Sequence, residues 1–151
     1  GRLAATSLGR LSLRHLTRQP IELPELVRSV EAAGHGALVV FLGNVRDHSQ
    51  GRRVTGIEYS AYERLPEVRL GTIVAELETE RPGLRVAIVH RLGRLDVGET
   101  SVAIVTASAH REAAYEANRI ALERVKREVP VWKDERYDDG TRAWREVEPL
   151  S

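Results

Sequence analysis

Residues 37–42, Ala-Leu-Val-Val-Phe-Leu, form an unbroken apolar run closed by Gly36 on one side and Gly43 on the other. A run this short, rich in branched and aromatic side chains and bounded by glycines, reads as a well-buried strand. A sheet therefore anchors the fold. Further strand signals stand on both sides of it. Leu11, Leu13 and Leu16 alternate with polar residues over 11–16 as an edge strand, and Val54, Gly56, Glu58 and Ser60 alternate against Thr55, Ile57, Tyr59 and Ala61. Short apolar strands follow at 86–89 and 101–106, and Val131-Trp132 begins another. Gly51-Arg52-Arg53 resembles a hairpin loop, residues 93–98 are rich in turn formers, and Asp139-Gly140 marks a turn before Trp144 and Val147.

Three segments carry helical spacing instead. Over 24–33, Pro24 suits a first turn, Leu26, Val27 and Val30 share one side, and Gly34 and Gly36 end the pattern. Leu70, Ile73, Val74 and Leu77 mark a helix over 65–80 that Pro82-Gly83 stops. From 109 to 128, Tyr115, Ile120, Ala121, Leu122 and Val125 offer apolar contacts, Ser108 is available as a cap, and Pro130 ends the helix. The alternation gives an α/β or α+β domain with a mixed sheet. With 151 residues, 42% hydrophobic and 30% charged, the chain suits one folded domain, residues 1–151, and not extended disorder. No apolar run has bilayer length, and residues 1–14 lack the pattern of an export signal, so neither anchoring nor export is read. The absence of cysteine removes disulfides, thiolate metal sites and cysteine nucleophiles together, and it fits a cytoplasmic protein.

A net charge of +1 offers no general attraction to nucleic acid, and the aromatic-basic motifs of RNA binders are missing. Arg10, Arg14, His15 and Arg18 read as a solvated strand face in preference to a polyanion site. No metal pattern emerges: His90 and His110 are far apart, and His35 and His48 lack the spacing that puts two ligands on one helical face. Residues 93–98 lack the glycine spacing of a phosphate loop. Two groups remain as candidates. His110 and Arg111, in Ser108-Ala109-His110-Arg111-Glu112, stand in a first helical turn whose free N–H groups favour an anion; local pairing of Arg111 with a carboxylate is the alternative. Lys126 and Lys133, on either side of a helix stop, can converge on one site or simply be solvated.

Four ordered segments resolve these alternatives by resemblance. Phe41-Leu42-Gly43-Asn44-Val45-Arg46-Asp47-His48, His90-Arg91-Leu92-Gly93, Ser108-Ala109-His110-Arg111, and Lys126 through Pro130-Val131-Trp132-Lys133-Asp134-Glu135 resemble the signatures of the molybdopterin synthase large-subunit family. The set spans most of residues 41–135, and its order is far more specific than any single piece. The resemblance implies an α+β protein: a mixed α/β hammerhead with an added antiparallel β subdomain. It implies a central homodimer with one small ubiquitin-like sulfur-carrier subunit at each end, a heterotetramer. The implied reaction is sulfur transfer from the carrier's C-terminal thiocarboxylate to cyclic pyranopterin monophosphate, forming the dithiolene of molybdopterin with no cofactor.

Residue by residue, the resemblance assigns Asn44, Val45 and Arg46 to the substrate-anion pocket, with Asn44 standing where a basic residue is sometimes found. It assigns His110 and Arg111 to pterin and phosphate, Lys126 and Lys133 to the catalytic centre, and Asp134 and Glu135 to the same substrate-binding segment. Arginine can grip phosphate with two N–H groups, and a lysine near a thiocarboxylate can stabilise charge or move a proton. Sixteen helical positions between His110 and Lys126 separate their backbones by roughly 24 Å, too far for one small substrate in one chain. Spacing and resemblance together therefore give a pocket shared between two subunits. The contrasting expectation is a noncatalytic subunit that keeps the scaffold and binds the carrier tail without pterin binding or sulfur transfer.

Overall fold

The computed structural model describes residues 14–146. Their order is β1 (Leu16–Thr17), α1 (Leu23–Val30), β2 (Ala37–Asn44), β3 (His48–Ser49), β4 (Arg52–Ser60), α2 (Arg64–Glu80), β5 (Arg85–Arg91), β6 (Gly93–Asp96), β7 (Thr100–Ser108), α3 (Arg111–Glu128), β8 (Trp132–Tyr137) and β9 (Arg142–Glu146). One sheet has the order β1-β5-β7-β2 and is parallel only between β1 and β5. The other has the order β3-β4-β8-β9, with β6 also on β4, and is antiparallel throughout. This is the α+β architecture the sequence leads one to expect.

Strands β5 and β7 are apolar without alternation because both their faces are covered. Val86, Ile88, Val102 and Ile104 share a buried cluster with Leu70, Ile73 and Leu77 of α2 and Ala117, Ala121 and Val125 of α3. The alternate positions Ala87, Val89, Ala103, Val105 and Ala107 pack with Leu26 and Val30 of α1. Between β5 and β6 only Leu92 intervenes, and Gly93 turns the chain at φ 95, a left-handed conformation that favours glycine. The chain thus steps straight from one sheet into the other at His90–Gly93.

The buried stripe of α3 is Ala114, Ala117, Asn118, Ala121 and Val125, and Tyr115, expected as an apolar contact, is 64% exposed. Alanines let the helix lie close to the sheet, and Asn118 fills the polar gap this creates. Its side-chain nitrogen lies 3.1 Å from the Val39 carbonyl oxygen, 3.2 Å from that of Ile104 and 3.3 Å from Thr106 Oγ1. Asn118→Ala removes the donor from these buried acceptors and should destabilise the fold by about 1–3 kcal/mol. Urea titration checks this; an unchanged midpoint and slope would contradict it.

Several expectations are corrected. The run at 37–42 is not buried throughout: β2 is the outermost strand, α1 packs on β5 and β7, and Leu38, Val40 and Leu42 are 39%, 38% and 39% exposed. Hydrophobicity alone does not tell an interior strand from an edge strand with a face its own helices do not reach. Helix α1 stops at Val30, its last buried contact, with Glu31 already extended, so residues 31–33 are not helical. Ser108 is not the cap of α3 but the last residue of β7; His110 occupies the N-cap and makes no side-chain capping bond. Residues 93–96 form strand β6 and not part of a turn. The edge strand expected at 11–16 is described only from residue 14, where Leu16 and Thr17 pair with His90 and Arg91; residues 11–13 and Val147 lie outside the described residues. The basic face named at 10–18 is only partly a solvated strand: His15 Nδ1 lies 3.0 Å from the Ile88 carbonyl oxygen, and Arg10 is outside the described residues.

Candidate active site

Lys126 lies in the last turn of α3, where Val125 and Val129 are buried in the cluster that also holds Tyr59, Leu92 and Val131. Pro130 ends the helix, and the chain returns as β8, whose Lys133 is the cross-strand partner of Tyr59. Helix stop and strand start thereby bring the two lysines together at one end of the core. Burial pushes the Lys126 ammonium below its ordinary value, and the charge of Lys133 pushes it the same way. A half-buried amine of this kind can hold an anion while charged and gives up its proton more readily than a surface lysine.

Side chains alternate along β8, so Lys133, Glu135 and Tyr137 share one face and Asp134 and Arg136 the other. Glu135 is 2% exposed and accepts hydrogen bonds from Ser49 Oγ and Tyr137 Oη, both at 3.2 Å. Asp134 is fully buried on the opposite face, with Arg136 at 3.7 Å and Arg142 at 3.5 Å. Any contact Asp134 makes on the lysine side is therefore made by its backbone.

The segment Asn44-Val45-Arg46 leaves the end of β2 under tight control. Thr100 Oγ1 donates to Asn44 Oδ1 at 2.7 Å, the Val45 N–H donates to the Glu99 carbonyl at 2.9 Å, and the Gly98 N–H donates to the Val45 carbonyl at 2.8 Å. Glu99 is itself gripped by Arg91 at 2.8 Å and by the Asp96 N–H at 2.8 Å. Three residues beyond Arg46, Ser49 reaches Glu135. Arg46 thus hangs between two anchors, Val45 and the face of β8 that carries Lys133, and among the described residues it is exposed with no ion pair of its own.

His110 and Arg111 are exposed at the start of α3. The helix runs unbroken to Glu128, so the spacing of roughly 24 Å from His110 to Lys126 holds, and one chain does not bring the two groups together. The start of β2 is pressed against this helix end: a Cβ on Gly36 would lie 2.7 Å from the Ala109 carbonyl oxygen. Among the described residues no carboxylate pairs with Arg111, which leaves its guanidinium for another anion. No group of three metal-ligating side chains occurs among the described residues, nor does any helix long and apolar enough to cross a membrane.

His90 stands within a signature segment, yet no site role was assigned from sequence to it, to Tyr59 or to Ser101. His90 is 4% exposed, its ring meets Tyr59 edge-on at 5.1 Å, and its Nδ1–H donates to the Arg91 carbonyl at 2.9 Å. Burial drives it from its ordinary 6.5 down to about 4, with the Lys126 charge acting in the same direction. Burial also raises the Tyr59 phenol, hydrogen bonding with Ser101 opposes this, and the Glu135 charge adds to it. A polar residue closing a wholly apolar strand, as His90 does after Val86-Ala87-Ile88-Val89, is the signal that could have found this cluster. Between pH 6.5 and 4 the unfolded chain takes up a proton at His90 that the folded chain refuses, so stability falls as pH drops through that window. Wild type should lose about 1.4 kcal/mol per pH unit relative to His90→Gln there, measured by paired urea titrations.

Fold and cluster together define a class: an α+β protein with a half-buried lysine near a second lysine and with exposed arginines at Arg46 and Arg111. The chain belongs to the MoaE family; residues 16–128 match that family, described as MoaE protein. It is similar to the molybdopterin synthase catalytic subunit of Bacillus subtilis, at 44% identity over 83% of this chain and 80% of the relative. The molybdopterin synthase catalytic subunit 1 of Mycobacterium tuberculosis is 40% identical over 83% of this chain and 85% of its own length. Among solved structures, the crystal structure of molybdopterin synthase from Staphylococcus aureus superposes with a TM-score of 0.82 at 36% identity, covering 87% of this chain and 96% of that one.

Proposed function

We propose that this chain is the catalytic subunit of a molybdopterin synthase, a cytoplasmic sulfurtransferase working as a single domain over residues 1–151. It converts cyclic pyranopterin monophosphate to molybdopterin with sulfur from the C-terminal thiocarboxylate of a small ubiquitin-like carrier. The observation that carries the reading is the half-buried Lys126, near enough to feel the charge of Lys133, whose strand tethers the Arg46 loop through Glu135 and Ser49. Lys126 contacts the carrier's tail carbonyl, where directed positive charge stabilises developing oxyanion character, and Lys133 orients substrate or moves protons. Arg46, with the backbone of Asn44 and Val45, receives the substrate anion, and the Asp134-Glu135 segment closes that wall, Glu135 fixing the loop through Ser49. His110 and Arg111 hold pterin and phosphate, their charge added to the free N–H groups of the helix start.

The distance between the ends of α3 asks for a second subunit, and β2 supports where it sits. This edge strand ends near His110 on one side, where Ala37 pairs with Ser108, and at Asn44 on the other, where Asn44 pairs with Thr100. Two copies meeting antiparallel across Leu38, Val40 and Leu42 set the His110 end of one against the Arg46 end of the other. Such a homodimer, with a carrier at each end, is a heterotetramer. Val40→Glu places like charges across the two-fold axis at a cost of several kcal/mol. The variant should sediment as a folded monomer at concentrations where the parent is a dimer, and an unaltered dimer would argue against this interface.

Reconstitution with thiocarboxylated carrier and cyclic pyranopterin monophosphate tests the whole reading, and the expected product is molybdopterin. Carrier-tail binding with neither pterin binding nor transfer would identify a noncatalytic carrier-binding subunit instead.

A further inference from the structure

The signature segment His90-Arg91-Leu92-Gly93 carries a cation that the proposed chemistry leaves without a task. Arg91 ends β5 with its backbone set by β1: it pairs with Thr17, and the N–H of the next residue, Leu92, donates to the Thr17 carbonyl at 2.8 Å. Its side chain is 12% exposed, and its Nη1 donates to Glu99 Oε2 at 2.8 Å. The other carboxylate oxygen of Glu99 accepts the Asp96 N–H at 2.8 Å, while the Glu99 N–H donates to the Asp96 carbonyl at 3.1 Å. The turn over residues 96–99 is thereby closed from both sides and tied to the end of β5 by a charge-assisted bond. The Asp96 N–H and the Arg91 guanidinium hold the Glu99 carboxyl below its ordinary range, so the tie is charged at neutral pH.

This turn holds the start of the Arg46 loop. The ladder between β2 and β7 slips between Gly43 and Asn44, so regular pairing gives out just before the loop begins. Beyond the slip, Val45 exchanges two backbone bonds with the turn, donating to the Glu99 carbonyl at 2.9 Å and accepting the Gly98 N–H at 2.8 Å. Arg46 is the next residue. We propose that Arg91 and Glu99 are a positioning pair for Arg46: by fixing the 96–99 turn against β5 they fix Val45, and with it the point from which the Arg46 guanidinium reaches the substrate anion. This rests on the reading of Arg46 as an anion-binding residue, and neither member of the pair touches substrate. The backbone bonds alone would let turn and loop shift together, whereas the ion pair refers both to a strand buried in the core. One N–H carries the tie, because Arg91 Nε is buried without a hydrogen-bond partner, and a lysine ammonium can supply one N–H as well.

Amide hydrogen exchange in the carrier-free protein, followed residue by residue by NMR, reads the clamp without substrate. Arg91→Ala and Glu99→Ala should each speed exchange of the Val45 and Gly98 N–H groups about tenfold and leave Ala103 and Val105 in the middle of β7 unchanged, while Arg91→Lys should stay within about threefold of wild type. Glu99 lies on a turn at the surface, so its variant decides the matter even if Arg91→Ala does not fold. In single-turnover sulfur transfer, either alanine variant should raise the half-saturating concentration of cyclic pyranopterin monophosphate about tenfold and keep the saturated rate within about twofold of wild type. Placed on Arg46→Ala, the same substitutions should add no more than about a further twofold, because the group they position is already gone. General loosening of the fold would instead lower the saturated rate and add in full to Arg46→Ala. Val45 exchange indifferent to both alanine variants, or losses fully additive with Arg46→Ala, would overturn the proposal. A wild-type protein that binds no pterin, with Val45 exchange still accelerated in both variants, would sink the sulfur-transfer reading and leave the clamp on Arg46 standing.

Discussion

Lys126→Ala should fold as the parent does, bind carrier and cyclic pyranopterin monophosphate, and transfer sulfur at least about a hundredfold more slowly in single turnover. Folding is expected to survive because the core at this end is made by Val125, Val129 and Val131, and the lysine head group is its polar margin. The rate is expected to fall because the amine, with its proton affinity lowered by burial and by Lys133, is the group proposed to meet charge developing on the tail carbonyl. Lys133→Ala should also slow turnover, but Lys133 sits in a β8 register opposite Tyr59, so its loss can act through alignment as well as chemistry. Measured binding separates the two: transfer lost with binding intact points to the transition state, and both falling together points to positioning. A folded Lys126→Ala variant that binds both partners and transfers sulfur at the wild-type rate would remove this lysine from the mechanism.

What the sequence disclosed and what it withheld follow one physical division. Local signals were legible: the Leu70, Ile73, Leu77 stripe of α2, the apolar core of β7 and the proline stop after α3 all appear where spacing put them. Interactions across elements were not. The apolar run of β2 gave its strand but not its edge position, because exposure depends on where α1 lies and not on the strand's own residues. The alternation of β4 was read as uniform, yet the ladder shifts between Val54 and Gly56, so Val54 joins Ile57 and Tyr59 among the buried residues. On α3, Ala121 and Val125 are buried and Ile120 and Leu122 pack beside them as the spacing led one to expect, but Tyr115 is exposed, and close packing on the sheet adds Ala114, Ala117 and one well-bonded Asn118. For the candidate site, the lysines and arginines were named from ordered motifs. Their supports were invisible: Ser49 on Glu135, Glu99 on Val45 and Tyr59 on His90 join residues far apart in the chain.

Mixed dimers should recover activity that neither parent variant has. A chain carrying His110→Ala and Arg111→Ala keeps Lys126, Lys133 and Arg46 but loses the groups at the start of α3; a Lys126→Ala chain has the reverse defect. If each pocket takes the helix start from one subunit and the lysine centre from the other, each homodimer has two broken pockets. The mixed dimer has one pocket with both defects and one with none, so purified heterodimers should reach roughly half the wild-type turnover. An unbroken helix of 18 residues makes this a sharp test, because a pocket built within one chain would have to bend that helix or span about 24 Å with one small substrate. Two differently tagged chains, co-expressed and purified through both tags, provide the heterodimer, and sedimentation together with thermal melting establishes that it is folded and dimeric. Activity no greater than the mean of the two homodimers would place the complete pocket within a single chain, and the β2 face would then have to serve some other contact.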